Sequence, residues 1–466
     1  MKLGLAGDCI LQHPCTTRGD AGLGAVVDLL RTTDAAICNF EGVIPAPDDW
    51  PAFVAGQGGF GSPYLAAPRD AVAEVRALGF SAVSLANNHA SDFGERGVLS
   101  TCAAFDQGGV AHAGTGRNLT EATAAAYVPV TGGRIALLAA SDNGARSRGE
   151  IPFPTPRGCL AADQGPWFAD RPGVNMVRYE PLFDVPADTV DTLRRVSDGL
   201  GWEFEKQLRR LGGGTLNPSV GTALGDLRAD TDDVFHFHGS KFRAADGFGV
   251  TTLLSDTDAQ RNYRWIDDAR RNADLVVMSF HQQGVAPTED QPPAHTVEFA
   301  HGAIDAGADI FVAHGSSRFG GIEIYRGKPI FYGLPGFISQ LMQRTRVPAE
   351  QVARLGLGSD ATPSDVLDVT LAAFRAGLMP AEYGSGNPSG GLPLYVLDID
   401  PRSKAWSVRM YPMKSAKPAR LGGFPRLLPA DDPTFRRVVD LLVERSAWYG
   451  TAVEIADDHA VVRHDP

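Results

Sequence analysis

The chain has 466 residues, of which 43% are hydrophobic and 21% are charged, the composition of a soluble globular protein. At about 100–200 residues per domain, this length predicts two or three structural units or one large domain with insertions. The formal net charge of −12 argues against nucleic acid as the main partner, although a bound cation would still allow a small anionic substrate.

The first third of the chain alternates short apolar runs with amphipathic stretches. This alternation of predicted strands and helices is typical of an α/β layered fold. The predicted strands lie at residues 3–6, 35–40, 79–83, 110–113 and 134–140, and the predicted helices at 23–31, 68–78 and 97–107.

The alternation stops at residue 143 and returns near residue 256. The proline-rich stretch 143–231, with amphipathic runs at 187–200 and 202–211, is interpreted as an insertion. The later predicted helices lie at 256–272, 294–305, 364–376 and 434–446, and the later strands at 275–280, 310–313, 322–325, 330–332, 392–399 and 406–411. Strands 322–325 and 330–332 form a predicted hairpin. We predict one domain over residues 1–415, with insertions at about 143–250 and 345–390, and a helical extension over 416–466 packed on it.

Cysteine usage and hydropathy predict a cytoplasmic protein without a membrane partner. The chain has five cysteines: Cys9, Cys15, Cys38, Cys102 and Cys159. Because their number is odd and no C-x-x-C pair occurs, we expect reduced thiols and no disulfide framework. The chain opens with a predicted strand, so no signal peptide is expected. No apolar run approaches the roughly 18 residues that a membrane helix needs. The oligomeric state is left open.

Polar residues follow five of the predicted strands. They are Asp8, Glu41, Asn88 with His89, His281 and His314. Ligands of α/β sheets bind at the carboxyl ends of strands. Carboxylates, an amide oxygen and imidazoles together suit a divalent transition metal ion such as Zn²⁺, Mn²⁺ or Fe²⁺. Singly, each residue has a simpler interpretation as a turn residue or a satisfied polar group, but the combination favours a metal site.

Four segments carry a resemblance to a known family: 7–8, 39–42, 84–89 and 322–334, with sequences GD, NFEG, SLANNH and IEIYRGKPIFYGL. In order and spacing they resemble the CapA family of poly-γ-glutamate capsule synthesis proteins. The fold of that family is similar to the calcineurin-like metallophosphoesterases. The resemblance implies an α/β, four-layer α-β-β-α metallophosphatase-like sandwich with insertions.

The same resemblance implies a site with two metal ions. Asp8 would bind the first ion, and Glu41 would bridge the two. The second ion would be held by the amide oxygen and the imidazoles that follow three strands: Asn88, His281 and His314. His89 would contact the substrate oxyanion, and a water activated by the cation would attack. The catalytic residues implied are therefore His89 and Asp8.

The chain departs from the family pattern at three positions. Ile10 stands where phosphoesterases carry a histidine, Ser317 replaces a second histidine after His314, and Gln283 falls in a segment where long CapA-like chains often read His-x-His-Glu. The first ion would therefore have few protein ligands. We expect one tightly bound ion, with the second weak or absent.

Substrate contacts are predicted at Arg318, Ser317 and Asn87. Lys241 and Arg243 are further candidates for an anion clamp, with solvated surface charge as the alternative. His236 and His238 alternate along a strand-like stretch and would either complete the site or remain half-exposed. Other candidates are expected to be structural. Cys9 is expected to be a packed thiol, the Gly-rich stretch 56–61 an ordinary loop, and four histidines surface or helix residues: His13, His112, His295 and His301.

Three functions remain open from the sequence. The first is a metal-dependent hydrolase of phosphoesters or related acyl or amide bonds, acting on a small anionic or peptide-like substrate. The second is an accessory or biosynthetic protein of a poly-γ-glutamate-like or peptide pathway. The third is a degenerate binding protein without metal, an interpretation that rests on Ile10, Gln283 and Ser317.

Overall fold

The structure is a computed structural model. It describes residues 1–18, 20–51, 64–142, 160–166, 168–203, 206, 230–231, 233–237, 240–284, 286, 291–315, 319–340, 347–375, 391–416 and 423–464. The predictions made for the stretch 56–61 and for Cys159, His238, Ser317 and Arg318 lie outside these residues.

The strands of the described residues are, in chain order, β1 (Lys2–Ile10), β2 (Ala35–Phe40), β3 (Ala82–Ser84), β4 (Ala111–Ala113), β5 (Thr115–Gly116), β6 (Ala126–Val130), β7 (Gly133–Asp142), β8 (Gly173–Val174), β9 (Met176–Val177), β10 (Tyr179–Val185), β11 (Phe235–Phe237), β12 (Ser240–Ala244), β13 (Gly249–Leu254), β14 (Leu275–His281), β15 (Ile310–His314), β16 (Ile322–Tyr325), β17 (Lys328–Leu334), β18 (Ile338–Ser339), β19 (Leu392–Ile399), β20 (Trp406–Ala416), β21 (Phe424–Leu427), β22 (Glu454–Ile455) and β23 (Ala460–His464). The helices are α1 (Ala21–Arg31), α2 (Ala71–Ala77), α3 (Gly94–Gly108), α4 (Leu119–Thr123), α5 (Ala187–Gly199), α6 (Asp256–Asn272), α7 (Ala294–Ala306), α8 (Ala349–Arg354), α9 (Pro363–Arg375) and α10 (Pro433–Ala447), with a short 3-10 helix at Thr16–Arg18.

Two large sheets form the centre of the fold. The first has the strand order β22-β23-β20-β19-β1-β2-β3-β4, and its strands β1 to β4 are parallel. The second has the order β16-β17-β15-β14-β7-β6, with β7, β14, β15 and β17 parallel. The predicted hairpin is confirmed, because β16 and β17 pair antiparallel.

Side-chain alternation along the strands separates three apolar cores. Along β1, Leu3 and Leu5 face the second sheet, while Ala6 and Cys9 face α1 and its neighbours. Along β14, Leu275 and Val277 face the first sheet, and the intervening residues pack against α6 and α7. The layers are therefore helix, sheet, sheet and helix, and the predicted four-layer sandwich is confirmed.

The stretch expected to interrupt the sandwich contains a separate four-stranded sheet, β11-β12-β10-β13. Helix α5 begins where the amphipathic pattern predicted. Asp258, in the first turn of α6, joins this region to the sandwich by accepting hydrogen bonds from Arg178 at 2.6 and 2.9 Å and from Arg261 at 2.8 Å. Burial acts to raise the pKa of Asp258, but the two guanidinium groups outweigh it and the pKa is lowered.

The sequence predicted a helical C-terminal extension over residues 416–466, but this segment also contains strands. Strand β23 pairs antiparallel with β20 and so widens the first sheet. Helix α10 buries Phe435, Val438 and Leu442 in the core between the two sheets. Among the described residues, no helix combines the length and apolar character needed to cross a bilayer.

Candidate metal centre

Two histidines lie side by side at the ends of neighbouring strands of the second sheet. His281 and His314 are the last residues of β14 and β15, and the parallel register pairs them directly. Both lie on the same face of their strands as residues of the core between the sheets: Leu275 and Val277 on β14, and Ile310 and Val312 on β15. The two imidazoles therefore point toward the first sheet.

Asp8 reaches the same space from the first sheet because of an irregularity in β1. It lies within the strand, not beyond its end as the sequence indicated. The register between β1 and β2 shifts between Leu5 and Asp8, which marks a β-bulge. Without the extra residue, alternation would turn Asp8 toward the helices. Gly7 is required at the bulge, since a Cβ there would lie 2.0 Å from the carbonyl oxygen of Pro335.

Three potential metal ligands converge between the sheets. The Oδ1 atom of Asp8 lies 3.3 Å from Nδ1 of His314 and 3.9 Å from Nδ1 of His281, and the two Nδ1 atoms are 3.0 Å apart. The side chains of Asp8, His281 and His314 are only 5%, 0% and 1% exposed. A carboxylate and two imidazoles are thus withdrawn from water together.

The arrangement fits a single divalent transition metal ion. Ligand atoms bound at about 2.0–2.2 Å to one ion lie about 2.8–3.6 Å from each other, depending on the angle at the metal. Two of the three separations among Asp8, His281 and His314 fall in that range and the third is slightly longer. Two nitrogens and one oxygen are the donor set typical of Zn²⁺, Mn²⁺ or Fe²⁺.

The second nitrogen of His281 faces another set of groups. Its Nε2 atom lies 2.8 Å from Oδ1 of Asn88, as in a hydrogen bond donated by the ring. With the hydrogen on Nε2, the lone pair of His281 is on Nδ1 and points at Asp8 and His314. The structure therefore groups the two histidines with Asp8 and places Asn88 on the other side of the His281 ring. The sequence had suggested that the two histidines share one ion with Asn88 and that Asp8 binds the other.

His89 forms a buried pair with a carboxylate that the sequence analysis missed. Its Nδ1 lies 2.8 Å from Oδ2 of Asp92, which also accepts a hydrogen bond from the backbone N–H of Leu65 at 2.7 Å. Asp92 is acceptor-only when ionised, so the hydrogen of His89 resides on Nδ1. Its Nε2 is then directed into the site, 3.8 Å from Oε1 of Glu41. The signal in the sequence is the spacing of three residues between His89 and Asp92.

Asn39 is a second residue that the sequence analysis did not single out. Its Nδ2 donates to Oδ1 of Asp8 at 2.8 Å and lies 3.3 Å from Nδ1 of His281. Asn39 lies two residues after Ile37 and four after Ala35, so its side chain shares the inward face of β2. This alternation would have indicated it. Asn87, a predicted substrate contact, donates to Oδ1 of Asn39 at 3.2 Å and to the backbone carbonyl of Phe40 at 2.8 Å.

Several other candidates lie away from this centre. His236 is on β11 of the separate sheet, where its backbone N–H donates to Asp230. Lys241 pairs with Glu180 and Arg243 with Asp184, so both cations already have carboxylate partners.

Cys9 and His295 were both expected to be structural residues. Cys9 is a packed thiol, as expected, and its hydrogen bond with Cys38 together with burial raises its pKa. His295, expected at the surface or on a helix, is on α7 but fully buried. It stacks on the ring of Tyr179 at a centroid distance of 4.1 Å.

Comparison with known proteins identifies one relative over nearly the whole chain and others over parts of it. A family model described as bacterial capsule synthesis protein PGA_cap matches residues 2–341. The protein y4sH of Sinorhizobium fredii is 27% identical over 98% of this chain and 92% of its own length. A PGA biosynthesis protein CapA of Bacillus subtilis is 34% identical over 24% of this chain and 30% of its own. A probable polyglutamine synthesis accessory protein of Mycobacterium tuberculosis is 27% identical over 57% of this chain and 46% of its own.

Proposed function

The chain belongs to the bacterial capsule synthesis protein PGA_cap family, and from that membership and its buried site we propose that it is a metal-dependent hydrolase. The substrate class is a small anionic or peptide-like molecule with a phosphoester or a related acyl or amide bond. The observation that carries the proposal is the convergence of Asp8, His281 and His314 beside the His89–Asp92 pair.

The residues present fit one divalent transition metal ion. Asp8, His281 and His314 would hold it, with Mn²⁺, Zn²⁺ and Fe²⁺ as the candidates. When bound, such an ion supplies Lewis acidity, which polarises a substrate oxygen and lowers the pKa of a coordinated water. A neutral imidazole has a single lone pair, so His281 can serve one ion only through Nδ1. This supports one tightly held ion, with a second weak or absent.

The protein side chains around that position have separable tasks. Asn39 orients Asp8 by donating to Oδ1, the oxygen nearest the two imidazoles. Asp92 holds the hydrogen of His89 on Nδ1 and so fixes the direction of Nε2. In the protonated form, His89 would donate from Nε2 to an oxygen on which negative charge develops. Oε1 of Glu41 lies 3.8 Å from that nitrogen, so the carboxylate borders the same position.

Burial strengthens each of these interactions. Asp8, His89 and Asp92 are all at most 5% exposed at the residue level. Charges interact more strongly in such an environment than in water, because less solvent screens them. Dipoles and charges that are already oriented there need little reorganisation during the reaction.

A second candidate function comes from the names of the relatives. The proteins of Bacillus subtilis and Mycobacterium tuberculosis are described as taking part in PGA biosynthesis and, as an accessory, in polyglutamine synthesis. On this hypothesis the chain binds an anionic acyl chain and need not hydrolyse phosphoesters. The same centre would then orient carboxylate groups of that chain.

A substrate panel separates the two functions. The purified protein is incubated with phosphoesters and with γ-glutamyl peptides, each with and without added Mn²⁺ or Zn²⁺. The hydrolase proposal expects metal-stimulated turnover of one class and a loss of about 10²-fold or more in His89→Ala. His301→Ala is the matched control, because His301 lies on α7 and pairs with Glu323 outside the centre. Binding of γ-glutamyl peptides without turnover of either class would favour the accessory function.

A further inference from the structure

Asp142 is a buried carboxylate that has no task in the chemistry proposed above. It ends β7, and its Oδ2 accepts hydrogen bonds from the backbone N–H groups of Gln283 at 2.7 Å and Gly284 at 2.8 Å. The same oxygen lies 3.3 Å from Nε2 of His295. By alternation along β7, Asp142 faces the helix layer and not the space between the sheets. Its hydrogen bonds to Gln283 and Gly284 connect it to the metal centre through the loop after β14.

His295 gives this carboxylate a fixed partner. Thr252 accepts a hydrogen bond from the backbone N–H of His295 at 3.0 Å, and the same hydroxyl oxygen lies 2.9 Å from Nδ1 of the ring. A hydroxyl that accepts one hydrogen bond can donate its own hydrogen to Nδ1. The hydrogen of the His295 ring then resides on Nε2, the nitrogen that faces Asp142. Stacking on Tyr179 holds the ring in place.

A continuous series of hydrogen bonds leads from Asp142 to the metal centre. Gln283, whose backbone N–H is bound by Asp142, donates from Nε2 to the carbonyl oxygen of Gly315 at 3.2 Å. The N–H of Gly315 in turn donates to Oδ2 of Asp8 at 3.2 Å. The side-chain nitrogen of Gln283 also packs 3.3 Å from Nε2 of His281. The loops after β14 and β15 are thus tied to each other and to Asp8 by hydrogen bonds, and Gln283 packs against the ring of His281.

We infer that Asp142 is a positioning residue for the metal centre, acting through Gln283 and Gly315. Without its carboxylate, one buried and one partly buried backbone N–H group lose their acceptor, and the loop that carries Gln283 loses its anchor. His281 and Asp8 would then sample orientations in which their donor atoms no longer converge. The inference rests on the proposed metal site. Changes to groups that orient metal ligands typically weaken metal binding by about 10–100-fold.

A double-mutant cycle on metal affinity tests this role. Zn²⁺ affinity of the full chain, freed of metal, is measured by competition with a chromophoric chelator for the wild type, Asp142→Ala, Gln283→Ala and the double variant. Each single variant should bind Zn²⁺ about 10–100-fold more weakly. The double variant should bind no more weakly than the weaker single variant, because both changes break the same series of contacts. Asp142→Asn keeps an acceptor oxygen and should recover part of the affinity.

Asn262→Ala controls for general destabilisation. Asn262 is buried in the same helix layer, where it accepts a hydrogen bond from Asn175 at 2.8 Å and donates to the carbonyl oxygen of Asp258 at 2.8 Å. Among the described residues, its hydrogen bonds are made within this layer and not to residues 282–284. This variant should unfold at lower temperature while keeping wild-type Zn²⁺ affinity. Unchanged affinity in Asp142→Ala, fully additive losses in the double variant, or an equal loss in Asn262→Ala would each overturn the inference. A wild-type chain that binds no Zn²⁺ would instead overturn the proposed metal site.

Discussion

Replacing Gly315 by alanine should disturb the metal centre through a single methyl group. Gly315 has a φ of +94°, and a Cβ built there lies 2.6 Å from both Cε1 and Nε2 of the His281 ring. Ordinary contacts of a Cβ begin near 3.4 Å, so the ring or the loop must move by roughly 1 Å. A displacement of this size is enough to misplace a metal ligand.

Gly315→Ala should reduce both the stability of the protein and its affinity for Zn²⁺. The left-handed backbone at residue 315 costs an alanine about 1–2 kcal/mol of stability. Moving His281 should in addition weaken Zn²⁺ binding by about 10–100-fold, equivalent to about 1.4–2.8 kcal/mol. The assay is Zn²⁺ affinity by chelator competition, together with thermal unfolding of the metal-free protein.

Gly132→Ala is the matched control for this experiment. Gly132 has a φ of +88°, close to that of Gly315, but no atom lies within 4 Å of a Cβ built there. It lies in the turn between β6 and β7, away from the centre. Both variants should lose similar backbone stability, and only Gly315→Ala should lose affinity. Equal Zn²⁺ affinity in the two variants would refute the placement of the His281 ring against Gly315.

Three further changes have distinct expected outcomes. Asp92→Asn should reduce turnover by about 10²-fold or more while leaving the metal content unchanged, as measured by steady-state kinetics and elemental analysis, because it removes the group that fixes the His89 hydrogen. Asn39→Ala should destabilise the metal-free protein by about 1–3 kcal/mol in chemical unfolding, because it leaves the buried Asp8 carboxylate short of a donor. Asp258→Asn should destabilise the protein at pH 7 and progressively less as the pH falls below about 4. The lowered pKa of Asp258 means that its stabilising contribution is present above the unfolded-state pKa and is lost as the pH falls through the folded-state pKa. A difference in unfolding temperature that does not shrink toward low pH would contradict this assignment.

Much of the sandwich was predictable from the sequence because its elements carry clear local signals. Strand β2, helix α6 and strand β19 have the bounds that the sequence predicted. Each combines a regular pattern with nearby turn or capping residues. Strand β6, which was not predicted, is half-exposed and contains Pro129, so its pattern is weak.

The sequence predicted some of the residues that form the site, but not which of them lie next to one another. Strand ends indicated His281 and His314, since parallel strands deliver their last residues to one edge. The position of Asp8 depends on a bulge, and a one-residue irregularity leaves no reliable sign in the sequence. Asp142 and His295 lie on the helix side of the second sheet, and only the three-dimensional path of the loop after β14 links them to the centre.

The most direct test of the metal centre is the metal content of the purified protein. Elemental analysis should find about one equivalent of Mn, Zn or Fe in the wild type and in His301→Ala, and much less in His281→Ala and His314→Ala. All four proteins should be folded by circular dichroism, so that loss of metal is separated from loss of structure. A wild-type chain without a transition metal even after incubation with Mn²⁺ and Zn²⁺, or histidine variants that retain the full equivalent, would contradict the account.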